Sequence, residues 1–190
     1  MKAEATRWFQ AAFARQNTTF AFERPFQTGC GRTYRLAAAA IAVDDGMDAM
    51  TVHSGGCHCG NIRLRFSTEL DPSKIEVRAC QCSFCTRHGS RAVADPDGRL
   101  IISVKDVRRL KKYRFGLGTA DYLICGECGV YTAAIAGEDD ARAIVIINAL
   151  DDRRWFSQEP IPVDYGAESK AQRQARRRLR WMPVEMRFSE

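Results

Sequence analysis

Between residues 60 and 150 apolar and polar positions alternate in short runs. Ile62, Leu64 and Phe66 are separated by Arg63 and Arg65, the period-two pattern of a strand with one buried face. Ile75, Val77 and Ala79 repeat it and lead into Cys80. Asp95-Pro96-Asp97-Gly98 reads as a turn, because Pro fixes φ and Gly relieves the close of the bend. Residues 100–104, 110–115, 122–124, 130–135 and 143–149 follow as further strands. Gly116-Leu117-Gly118 has neither the third glycine nor the strand–helix setting of a nucleotide loop, and reads as a turn. Many short strands joined by turns predict a mainly β core. Tyr113, Phe115 and Tyr122 then belong either to the sheet faces or to the wall of a cleft.

The two ends differ from this middle. Residues 168–180 carry helix-forming side chains with no Gly or Pro, and Pro183 stops the segment, which predicts a short C-terminal helix. Arg173, Arg176, Arg177 and Arg180 recur on it at three- and four-residue steps. That spacing suits a solvated face or a basic surface for nucleic acid or an acidic protein partner. Residues 1–49 show no period, contain Cys30, and end in Asp44-Asp45-Gly46. They are read as an N-terminal extension, flexible or lying ahead of a native start at Met47 or Met50, with one domain over 50–190.

The longest purely apolar run, residues 36–43, is eight residues, whereas a membrane span needs about 20. It starts too far into the chain for a signal peptide, and Asp44 and Asp45 follow it. A soluble, cytoplasmic protein without a membrane partner is expected. With 45% hydrophobic and 27% charged residues, 190 residues can bury a core, which excludes wholesale disorder. The formal charge of +6 invites an acidic partner. The excess is local, however: residues 166–190 hold seven Lys/Arg against three Glu. Binding two divalent ions by seven thiolates would lower the total to +3.

Cysteines change the picture most. Of eight, seven are clustered as Cys57/Cys59, Cys80/Cys82/Cys85 and Cys125/Cys128. Cysteines one or two residues apart rarely bridge each other, because disulfide geometry is demanding, but they converge readily on a shared metal ion. On a strand, Cys57 and Cys59 would point to one face with His58 opposite. Cys125-Gly126-Glu127-Cys128-Gly129 reads as a knuckle whose glycines allow two thiolates to converge. Two sulfurs from each segment make a closed, four-ligand structural site. Cys80, Cys82 and Cys85 offer three sulfurs and one open position, the pattern of catalytic zinc. Other partitions, such as Cys57/Cys59/Cys80/Cys82, satisfy the same count. His88 is a candidate fourth ligand or proton carrier, and His53 a polar residue ahead of the first strand.

At these residues the sequence resembles the glutathione-dependent formaldehyde-activating enzyme family, which includes centromere protein V-like proteins. The matching stretches are Gly55-Gly56-Cys57-His58-Cys59-Gly60, Cys80-Gln81-Cys82-Ser83-Phe84-Cys85 and Cys125-Gly126-Glu127-Cys128-Gly129-Val130, with Tyr113-Arg114-Phe115-Gly116 between. The resemblance implies a β-tent type fold of zinc-stapled sheets. It implies structural zinc at Cys57, Cys59, Cys125 and Cys128, and a second, catalytic zinc at Cys80, Cys82 and Cys85. It also implies carbon–sulfur lyase or synthase chemistry, with glutathione as co-substrate and formaldehyde or a related small aldehyde as its partner. Arg87 or His88 would assist the developing alkoxide, and Arg87 and Arg91 would offset the thiolates or hold glutathione's carboxylates. Ile124 and Thr86-Arg87-His88 depart from the family's usual aromatic and basic residues. The competing reading is a zinc-stapled binding module that uses its basic helix.

Overall fold

Ile62, Leu64 and Phe66 are at most 1% exposed, and the arginines between them face solvent. The computed structural model describes residues 50–189, and the expectations for residues 1–49, Cys30 among them, lie outside this range. Eleven strands occur among the described residues. They are β1 (Thr51–Gly56), β2 (Ile62–Thr68), β3 (Arg78–Cys80), β4 (Ala92–Val93), β5 (Arg99–Val104), β6 (Leu110–Tyr113), β7 (Asp121–Cys125), β8 (Tyr131–Ala136), β9 (Arg142–Ile146), β10 (Ile161–Val163) and β11 (Met182–Phe188). Two α-helices accompany them: α1 (Ser83–Arg87) and α2 (Lys170–Arg180). The protein is mainly β.

Strands run in the order β1-β2-β5-β11-β9-β4-β3-β10, and β9 also carries the β8-β7-β6 meander. The branch comes from β11, which changes neighbour along its length. Met182 and Pro183 lie antiparallel to Ala143 and Arg142, and Val184 to Phe188 then run parallel to β5. Pro183 was expected only to stop the helix. It occupies the point where the strand changes partner, a place where a residue without an N–H is tolerated. Asp95 to Gly98 form the expected turn, with the Gly98 amide 2.9 Å from the Asp95 carbonyl oxygen. The run at 75–79 forms a strand only from Arg78, although Ile75 and Val77 are buried.

The main core joins both parts of the sheet through Phe66, Leu100, Ile102, Leu123, Ile147 and Phe156. His53 belongs to it, which corrects its reading as a polar residue ahead of the first strand. It lies within β1, fully buried, with its ring edge against Phe156 and Nδ1 2.6 Å from Asp152 Oδ2. No helix among the described residues is long and apolar enough to cross a membrane.

Candidate functional site

Two hairpin turns bring four sulfurs together. Cys57 and Cys59 sit in the β1–β2 connection, a turn rather than the expected strand. It is closed by the Cys57 amide on the Ile62 carbonyl (2.9 Å) and the Gly60 amide on the Cys57 carbonyl (3.0 Å). Gly60 takes φ +75°, the left-handed region that favours glycine. His58 is exposed. The β7–β8 connection is the predicted knuckle: the Gly129 amide donates to the Cys125 carbonyl and the Cys125 amide to the Val130 carbonyl.

Cys59 Sγ lies 3.6 Å from Cys57 Sγ and 3.5 Å from Cys125 Sγ, and all four sulfurs of Cys57, Cys59, Cys125 and Cys128 fall within 4.8 Å of one another. A tetrahedral ion with sulfur bonds of about 2.3 Å sets its ligands roughly 3.8 Å apart, so the four fit zinc. They are free thiols, well beyond the disulfide length of about 2.05 Å.

Cys80, Cys82 and Cys85 form a second set, again within 4.8 Å. Cys80 ends β3, Cys82 caps α1, and Cys85 is buried in its first turn. The partition into four and three is therefore the one that the fold makes. The Cys80 thiol is pulled down to about 6, chiefly by the hydrogen bond from Cys85, and that bond with burial pushes Cys85 up. A helix of five residues gains little from its own hydrogen bonds. Phe84 holds it by packing, its ring centroid 5.0 Å from Tyr122, 5.1 Å from Tyr131 and 5.4 Å from both Tyr113 and Phe115. The three aromatics named from the sequence thus pack on Phe84, and of them only Tyr122 also lines the cavity beside Cys80 and Cys85.

This cavity is partly enclosed, and water can occupy about 50 Å³ of it. By comparison, a depression over Cys57 and Cys59 is more open to solvent, and there a fourth thiol already completes the donor set. Ala92, Ile144 and Ile146 give the cavity an apolar wall, and Tyr122 and Tyr131 add phenols. Burial pushes Tyr122 up to about 12 and Tyr131 well above its ordinary value, so both are neutral donors at neutral pH. The Tyr131 hydroxyl is buried without a hydrogen-bond partner.

The residues expected to assist the chemistry are elsewhere. Arg87 is exposed and donates to the Ser83 carbonyl. His88 is exposed, with Nδ1 2.9 Å from the Phe84 carbonyl oxygen. Neither lines the cavity, nor does Arg91. The basic side chains that do are Arg78, Arg176 and Arg177.

Arg177 is 5% exposed, whereas Arg180 is a surface residue. The four helix arginines therefore do not share one solvent face. Periodicity could not reveal this, because the inward positions of α2 carry arginine where an apolar residue is the usual signal.

Arg176 donates to both carboxylate oxygens of Glu168, at 2.7 and 2.9 Å, and Arg173 lies 3.4 Å from the same group. The hydrogen bond from Arg176 holds the Glu168 carboxyl below its ordinary 4.5. Its contribution to stability is complete above that pH and is lost as pH falls through the depressed folded value. Between pH 5 and 3 the thermal midpoint of the wild type should fall about 1–4 °C further than that of Glu168→Gln, as read by circular dichroism. Equal slopes would remove this pair from the stability of the cavity wall.

The profile of the glutathione-dependent formaldehyde-activating enzymes matches residues 52–162. The crystal structure of a Rhodobacter sphaeroides protein is 27% identical, the match covering 58% of this chain and 99% of that one, with a TM-score of 0.46.

Proposed function

Because the chain belongs to the glutathione-dependent formaldehyde-activating enzyme family, we propose that residues 50–190 form a zinc-dependent carbon–sulfur lyase or synthase. Its substrates would be S-hydroxymethylglutathione-type adducts, or those of a related small thiol and aldehyde. One observation carries this reading: the sulfurs of Cys80, Cys82 and Cys85 converge, and two of the three residues line a partly enclosed cavity. Cys57, Cys59, Cys125 and Cys128 would hold a structural zinc, and Cys80, Cys82 and Cys85 a catalytic one. Zinc held by three thiolates supplies an open Lewis-acid position that makes a bound thiol acidic near neutral pH.

The protein's own groups would do the rest. In adduct formation the thiol sulfur, having lost its proton, attacks the aldehyde carbon. A carbon–sulfur bond forms, the π pair moves to oxygen, and that oxygen takes up a proton. Tyr131, whose side chain lines the cavity and whose buried hydroxyl has no partner, would be the donor, regaining its proton from the one the thiol released. Ala92, Ile144 and Ile146 keep water, a competing nucleophile, away from the aldehyde. Cleavage of the adduct reverses each step.

The test is the rate of adduct formation from glutathione and formaldehyde, followed by NMR exchange with zinc-loaded protein. Acceleration well above the protein-free rate supports the reading. The protein-free rate, found with both sulfur sets loaded, overturns it for this substrate pair.

A further inference from the structure

Helix α2 is inverted relative to an ordinary surface helix. Its partly or fully buried positions are Arg173, Arg176 and Arg177, while Leu179 is 75% exposed. Guanidinium groups are costly to bury, and a buried one normally faces an acid. Arg173 and Arg176 meet Glu168. Arg177 has no acid within 4 Å among the described residues: its Nη1 donates to the Thr119 carbonyl and hydroxyl oxygens, both at 2.7 Å, and its Nε has no partner.

Arg177 lines the same cavity as Cys80 and Cys85. Arg78, 8% exposed, lines it too and has only a loose pair, its Nε 3.6 Å from Glu76. No Asp or Glu does so. The cavity therefore joins a thiol edge to buried positive charge, the Arg177 guanidinium lying 4.8 Å from the Trp181 ring centroid with no acid among the described residues within 4 Å to neutralise it.

The inner part is narrow, about 50 Å³ for water-sized centres, and opens partly to solvent, so the thiol end of an occupant lies inside while a longer remainder can reach out. Two of the three basic side chains, Arg176 and Arg177, follow residue 162, where the family match ends, and Arg78 lies within it.

We propose that the cavity takes a carboxylate-bearing thiol, with its carboxylate on Arg177 and its sulfur toward Cys80 and Cys85. This rests on the reading of Cys80, Cys82 and Cys85 as the reactive set, and it specifies that the thiol partner carries a carboxylate near its sulfur.

Calorimetric titration of the zinc-loaded full chain with mercaptoacetate and with 2-mercaptoethanol tests it, since the two differ at the end away from sulfur. The acid should bind at least ten-fold more tightly, and Arg177→Met should bring the two within two-fold while Arg177→Lys retains part of the preference. Equal affinities in the wild type overturn the carboxylate assignment and leave the reactive set standing. A preference that survives in Arg177→Met arises from chelation and also overturns it. If neither thiol binds with zinc retained, the reading of the reactive set fails, and the inference with it. The wild-type comparison stands even if Arg177→Met is poorly folded.

Discussion

Cys125→Ser should leave a protein that holds one zinc in place of two and melts at least about 15 °C lower, or does not fold at all. Cys125 is fully buried at the end of β7, and its sulfur lies 3.5 Å from that of Cys59, 66 residues away in sequence. The four-sulfur set thus ties the β1–β2 hairpin to the β7–β8 hairpin. Structural zinc sites bind with about 10–16 kcal/mol, whereas a whole domain is stable by about 5–15 kcal/mol, so losing one ligand removes a term as large as the total. The serine hydroxyl would also be buried without the charge of a thiolate to hold the ion. Scanning calorimetry with elemental analysis reads both effects. Unchanged metal content with a midpoint within 3 °C of wild type would refute the clamp.

The opposite outcome is expected at the other set. Cys82→Ser should lower adduct formation by about 100-fold or more, to the protein-free rate, while the midpoint moves by only a few degrees. Cys82 is the N-cap of α1, with its side chain accepting from the Cys85 amide. Serine is among the preferred residues at that position, so the helix keeps its cap while the metal loses a ligand. α1 is further held by Phe84 among its aromatic neighbours, which the substitution does not touch. A midpoint loss as large as that of Cys125→Ser would make both sets structural and would favour the binding-module reading.

What could be read from the sequence follows from the range of each signal. The alternation at Ile62, Leu64 and Phe66 reports one face of one strand, and the structure buries that face. The Cys125–Cys128 knuckle is equally local, its bend written in Gly126 within it and Gly129 just after it. By contrast, the sulfur partition depends on which turns meet in space, and the count alone allowed several answers. α1 is too short to show a period. β11 was hidden because a proline in a strand usually argues against one, and only the change of partner at Pro183 makes room for it. Arg177 was visible as a helix residue, but its burial follows from what packs over α2. His88 and Arg87 drew attention by adjacency to Cys85, yet the short helix turns both outward.

The course of β11 also governs how the protein can be made. Val184 pairs with Leu100, so during translation β5 emerges well before the strand that will cover its flank. At roughly 5–20 residues per second, those ~80 residues take several seconds to leave the ribosome. Throughout that interval β5 presents an open edge above an apolar face, the kind of surface that recruits a second nascent chain. Synthesis in closely spaced polysomes is therefore the point of greatest aggregation risk for this protein, and a chaperone that shields β5 until β11 emerges would raise its yield.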